Sequence, residues 1–252
     1  MAGMKRSIAI VSYGNEMLSG GSVSLDWRKH FRENICFNDL SKEDSICIAR
    51  NESEWFDYLL SGGCTRLKLD YNHLLNNKKA LSVEGVYIGG ISWIIETAYN
   101  GHSDIWTCDT HYTSLGLYYV EYNLSHKKKH TAEKPCDIEA AQIDLLKNLE
   151  AIIGFAKKHN SIWFEYFSRT YKYFNKSVPE NADSLIVLKN YSQLARQLYY
   201  IADSLWWHFI TGKDFWCDEY YANFEDREKH GTLTKDLFVS VCNALVTAVN
   251  SN

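Results

Sequence analysis

The chain has 252 residues, 27 basic and 31 acidic, with a formal net charge of −4. That balance offers no electrostatic footing for nucleic acid and is too mild for a DNA mimic. Eight tryptophans, an aromatic fraction of 14% and only two prolines exclude a disordered chain.

Two basic residues and a short apolar run open the sequence, but the run breaks at Tyr13-Gly14-Asn15-Glu16, too soon for a signal peptide. Ser7 to Tyr13 is rich in β-branched residues and predicts a strand. Gly14 and then Gly20-Gly21 punctuate the turn after it. Leu25 to Asn34 has the spacing of a short helix, and Ile35 to Phe37 reads as extended. Glu52 to Leu60 predicts a helix capped by Ser53 and stopped by Gly62-Gly63. Thr65 to Tyr71 alternates Leu67, Leu69 and Tyr71 with Arg66, Lys68 and Asp70, the pattern of a half-buried strand.

Strands are expected over Leu81–Ile88, Ile91–Tyr99, Asp104–Cys108 and Ser114–Leu124. Gly89-Gly90 and Asn100-Gly101 supply hairpin turns, the latter the stronger signal. Short turns between sequential strands favour an antiparallel meander over a parallel sheet. His126 to Lys134 carries four lysines and reads as a solvated loop between halves, with a basic contact for an acidic partner as the sharper alternative.

Asp137 to Asn160 gives the clearest pattern. Ile138, Ala141, Leu145, Leu149, Ile152 and Ala156 recur at steps of three and four, which places them on one helical face. Asp137 is the expected N-cap, with Lys157, Lys158 and His159 at the end where cations are favoured. A second, aromatic helix is expected over Ser161–Phe174, a connection over Val178–Asn181 and a long helix over about Asp183–Thr211. Val187, Tyr191, Leu194, Leu198, Ile201, Leu205 and His208 give that long helix a heptad-like seam. Phe215 to Glu228 reads as acidic, aromatic and helical, and Gly231-Thr232 precedes a last helix over Leu233–Val249. No window approaches about 18 consecutive apolar residues, so no membrane span is expected.

These elements predict an α+β protein: a mostly antiparallel N-terminal sheet packed against a C-terminal bundle of about four helices. The economical arrangement is one domain over residues 1–252. Its strand-rich part is 1–125, its helix-rich part 137–250, and 126–136 is the boundary loop.

Two stretches concentrate chemistry. The first is His102 to His111, which gathers His102, Asp104, Cys108, Asp109 and His111. Aspartate and histidine are the residues of a hydrolytic metal site or a general acid–base pair. On a strand Asp104 and Cys108 share one face, Asp109 and His111 the other. The spacing fits no established ligand pattern, and Gly101, Ser103, Asp104 and Asp109 are also ordinary turn formers. The second stretch is Phe215 to His230. If helical, Trp216, Tyr220 and Phe224 form one stripe, edged by Asp218, Glu219, Glu225 and Asp226. An aromatic stripe rimmed by carboxylates suits a basic protein surface.

The seven cysteines are odd in number and never at CxxC spacing, so a reducing, cytoplasmic setting is expected, with neither a disulfide framework nor a thiolate zinc site. Phosphate-loop, nucleophile-elbow and dinucleotide motifs are absent, and no cofactor is expected. The Asn-, Lys-, Ile- and Tyr-rich composition is common in bacterial and phage proteins. The leading expectation is a non-enzymatic intracellular protein that binds another protein, of the inhibitor or immunity type. A hydrolase working through His102, Asp104, Asp109 and His111 is the alternative, and a structural subunit a third reading.

Overall fold

A computed structural model of the protein describes residues 2–21, 27, 28, 31, 34–40, 46–73, 91–112, 118–129, 136–176, 190–210, 216 and 219–252. Among them lie a six-stranded mixed sheet and six helices, an α+β protein. The strands are β1 Asn34–Asp39, β2 Ile46–Ala49, β3 Arg66–His73, β4 Ile91–Ala98, β5 His102–Tyr112 and β6 Tyr118–Lys129. The helices are α1 Ala2–Leu18, α2 Glu52–Ser61, α3 Ile138–Lys158, α4 Trp163–Lys172, α5 Gln193–Ile210 and α6 Phe224–Asn250. The chain forms two compact units, Met1–Asn72 with Ser92–Lys134, and His73–Ile91 with Pro135–Asn252.

In the first unit the sheet order is β2-β1-β6-β5-β4-β3. The meander holds where strands are neighbours in sequence: β4, β5 and β6 pair antiparallel. Gly101 turns β4 into β5 at φ +90°, a conformation open to glycine. The antiparallel expectation fails at one place, because β1 lies parallel to β6, with Phe37 beside Tyr122. A pair so distant in sequence leaves no turn signal to read. That register assembles the core: Phe37 stacks on Trp55 at 4.4 Å and on Tyr122 at 5.1 Å, and Trp106 meets Trp55 edge-on at 5.4 Å.

The strand expected over Ser7–Tyr13 is instead the middle of α1. Met4, Ile8, Ile10 and Val11 are all buried, as are Ser7 and Ser12, so the helix is enclosed nearly all round. Burial on every side erases the amphipathic period and lets packing override β-branched propensity. Gly14 marks a close crossing rather than a turn, since a Cβ there would lie 2.3 Å from Leu67 Cδ1 and 2.8 Å from Phe56 Cε1. Beside it, Asn15 accepts from the Leu67 N–H at 2.7 Å and donates to the Leu67 carbonyl at 2.9 Å, which ties α1 to β3.

The α2 cap is Asn51 rather than Ser53: its Oδ1 accepts from Glu54 N at 3.0 Å. Glu54 returns the bond by accepting from Asn51 Nδ2 at 2.7 Å and from Arg50 N at 2.8 Å, a reciprocal capping arrangement. His126 to Lys129 belong to β6 and not to a loop. Their lysines meet carboxylates across the sheet, Lys128 with Glu96 at 2.7 Å and Lys127 with Asp104 at 3.7 Å.

In the second unit α3 follows its periodicity. Asp137 Oδ1 accepts from Ala140 N at 2.9 Å, and Leu145, Leu149, Ile152 and Ala156 are buried. We expect Asp137→Ala to cost about 1 kcal/mol, read as a lower thermal midpoint. An unchanged midpoint would mean that the cap does not hold the helix start.

Helix α4 with the 3-10 turn Tyr173–Asn175 matches the expected aromatic helix. Helix α5 starts at Gln193, where Ser192 Oγ accepts from Ala195 N at 3.2 Å, and residues 183–189 of the expected long helix lie outside the described residues. Leu198, Ile201 and Leu205 of the expected seam are buried there. Tyr191 lies before the helix and donates to the Val249 carbonyl at 2.9 Å.

Helix α6 begins at Phe224 and runs through Gly231-Thr232. One internal glycine costs about 1 kcal/mol, small against the burial of Leu237, Phe238, Val241 and Leu245 along the same helix. By length and composition alone α6 would suffice to cross a membrane, and its apolar side is buried against α3 and α5. The elements expected over Leu81–Ile88, Gly89-Gly90 and Val178–Asn181 lie outside the described residues, as does most of Leu25–Asn34.

Candidate functional site

The second unit holds a cluster where the end of α3 meets the segment leading into α6. Glu219 to Asn223 is not helical, and α6 starts only when Asn223 Oδ1 accepts from Glu225 N at 2.9 Å. The expected continuous stripe is therefore broken. Trp216 points inward and is fully buried, whereas Tyr220 and Phe224 are 76% and 65% exposed.

Trp216 is fixed from several sides. Its Nε1 donates to Thr234 Oγ1 at 2.7 Å, and Thr234 in turn donates to the His230 carbonyl at 2.6 Å. Phe167 of α4 meets it edge-on at 5.2 Å, and the His230 ring lies 4.5 Å away. His230 is buried, with Nε2 3.0 Å from the Trp216 carbonyl. A carbonyl only accepts, so Nε2 carries the proton. Burial pushes the His230 pKa below its ordinary value, against smaller upward pulls from that bond and from Glu219.

A run of rings continues outward. Tyr221 lies 5.1 Å from His230 and 5.0 Å from His159, which packs on Phe155 at 4.4 Å. Polar contacts tie the same pieces. Ser161 Oγ donates to Glu219 Oε1 at 2.5 Å while accepting from Trp163 N at 3.1 Å. Tyr221 donates its hydroxyl proton to Glu219 Oε2. Burial and that carboxylate push the Tyr221 pKa well up. Asp226 Oδ1 lies 3.3 Å from both Lys158 Nζ and His159 Nε2.

Of the expected binding residues, Glu219 and Asp226 are thus occupied in holding the scaffold. Tyr220, Phe224 and Glu225 face solvent, Trp216 does not, and Asp218 lies outside the described residues. Ile162, next to the Ser161 that holds Glu219, is 79% exposed. Arg227 rests over the Tyr220 ring at 5.3 Å. His159, Ser161, Ile162 and Thr234 were not legible as site residues.

In the first unit the His102–His111 residues separate along β5. His102 stacks on Tyr99 at 4.8 Å, with Nε2 3.7 Å from Asp104 Oδ1. Asp104 is buried, near Cys64, whose thiol burial pushes up to about 11. Cys108 is also buried, and its thiol is pushed up to about 12. Asp109 accepts instead from Asn123 Nδ2 at 3.1 Å, and His111 Nε2 lies 3.3 Å from Glu121. Strand alternation puts His102 and Asp104 on one face of β5 and Asp109 and His111 on the other. Among the described residues, no three His, Cys, Asp or Glu side chains are arranged to hold a metal ion.

Compared with protein-family models, curated proteins and solved structures, the chain finds no match in any of the three.

Proposed function

We propose that this is a non-enzymatic protein that binds another protein through Tyr220, Phe224 and Ile162, and that it acts as a cytoplasmic inhibitor of the immunity type. The observation that carries the reading is the contrast within one short stretch. Trp216 and His230 are buried and hydrogen-bonded, while Tyr220 and Phe224 between them hold their rings in solvent. Large side chains presented on a locked support lose little entropy on docking and suit interface anchors.

The partner is a protein with a basic face. Residues 215–230 carry five carboxylates against two cations, and Glu225 and Glu228 are exposed. Rim charges act mainly on the rate of encounter. Replacing Glu225 and Glu228 by glutamine is therefore expected to slow association with the partner several-fold at low salt and to leave dissociation nearly unchanged. Stopped-flow or surface binding at two salt concentrations measures this. An unchanged association rate would contradict a basic partner.

A further inference from the structure

Tyr221 holds the segment Glu219–Asn223 in place, its ring 5.1 Å from Phe155 of α3 and 5.1 Å from His230 of α6. We propose that His230 is an acid-sensitive clasp: protonating it releases this segment from the end of α3, so the surface bearing Tyr220 and Phe224 is firm at neutral pH and loosened in acid. The consequence for docking rests on the binding reading above. The clasp itself does not.

The geometry is specific. The neutral imidazole already spends its one N–H on the Trp216 carbonyl at 3.0 Å. Around it stand the rings of Trp216, Tyr221 and Phe155, at 4.5, 5.1 and 6.1 Å. A second proton would place a full charge in this enclosed, mainly aromatic site, where desolvation is costly. The Tyr221 ring touching His230 belongs to the segment, and its hydroxyl is bonded to Glu219 of the same segment. Displacement of the imidazole therefore acts directly on the contact that closes the segment.

The other charged groups around the clasp divide. Glu219 favours the imidazolium, which weakens the switch but does not reverse it, since burial leaves the His230 pKa lowered. Just past the end of α3, His159 faces Asp226 at 3.3 Å, and Lys158 faces the same oxygen. From α4 the neutral Phe167 reaches the cluster through Trp216. The exposed imidazole of the open form takes a proton at higher pH than the buried one. The closed form therefore loses stability as pH falls below about 6.5, and the loss is complete once pH is below the buried value.

Hydrogen exchange of the Glu219–Asn223 amides in the full-length protein tests this, at about pH 7.5 and about pH 5, with intrinsic rates corrected. Expected is a rise of at least about threefold in opening at the lower pH for the native protein, kept in His159→Gln and lost in His230→Gln. The glutamine amide can still donate to the Trp216 carbonyl. Should His230→Gln not fold, the native protein is read by NMR. The imidazole of His230 and the segment amides should then titrate with one midpoint below that of an exposed histidine. Unchanged opening in acid overturns the clasp. So does an equal acid response in His230→Gln, or an NMR midpoint that tracks another group. If the clasp opens in acid but no partner is ever captured, the binding reading fails while the clasp stands.

Discussion

Trp216→Ala is expected to destabilise the second unit by about 3–5 kcal/mol, the range for deleting a buried aromatic side chain. The indole is fully buried and touches Phe155, Phe167 and His230, so its removal leaves a cavity walled by rings on three elements. It also withdraws the donor that Thr234 accepts at 2.7 Å. Trp216→Phe keeps most of the volume and loses that hydrogen bond, and should cost less, on the order of 1 kcal/mol for the bond itself. Urea unfolding followed by far-UV dichroism measures both. The matching control is Tyr220→Ala, expected within about 0.5 kcal/mol of native because the ring is solvated. A loss below about 1 kcal/mol for Trp216→Ala would mean that the cluster does not support the segment.

The second large effect is expected in the first unit, at Arg6 and Glu52. Arg6 donates from both Nε and Nη2 to Glu52 Oε1, at 2.9 and 2.8 Å. The side chains are 4% and 1% exposed. Arg6 also lies over the Phe31 ring at 5.5 Å. Glu52→Ala leaves a guanidinium in the interior without its main counter-charge, and Arg6→Ala does the same to the carboxylate. Each is expected to cost about 3–5 kcal/mol. The two losses should not add. Replacing the pair by methionine at 6 and leucine at 52 should recover a large part of either single loss, because most of the penalty is the stranded charge. A double-mutant cycle by chemical denaturation gives the coupling. Additive losses would contradict a buried, mutually dependent pair.

What could be read from the chain differs by the range of the interaction that decides each element. Helix α3 was legible because its determinants are local: an apolar repeat, an aspartate in front and cations behind. The β4–β5 hairpin was legible for the same reason, through Asn100-Gly101. Helix α1 was not, because the burial of its serines alongside Ile8, Ile10 and Val11 is a tertiary fact with no period of its own. Nor was the parallel pairing of β1 with β6, which joins segments far apart in sequence.

The site shows the same division. The acidic, aromatic character of 215–230 is plain in the sequence, but the orientation of each ring depends on where the helix begins. Asn223 sets that start. Glu219 to Asn223 ahead of it are not helical, so Tyr220 does not continue a helical stripe with the buried Trp216, and Phe224 at the helix start lies exposed. Likewise, Glu219 and Asp226 looked like recognition carboxylates because their partners Ser161, His159 and Lys158 lie some 58 to 68 positions away.

Affinity capture with the tagged full-length protein from a native lysate shows whether Tyr220 and Phe224 bind a partner, with native protein and Tyr220→Ala/Phe224→Ala run side by side. Matched unfolding curves would first establish that the double variant remains folded. One basic protein is expected to be recovered near one-to-one by the native chain and lost with the double variant. Recovery of the same partner in equal amount by both would contradict binding through this surface, and so would the absence of any protein that distinguishes them.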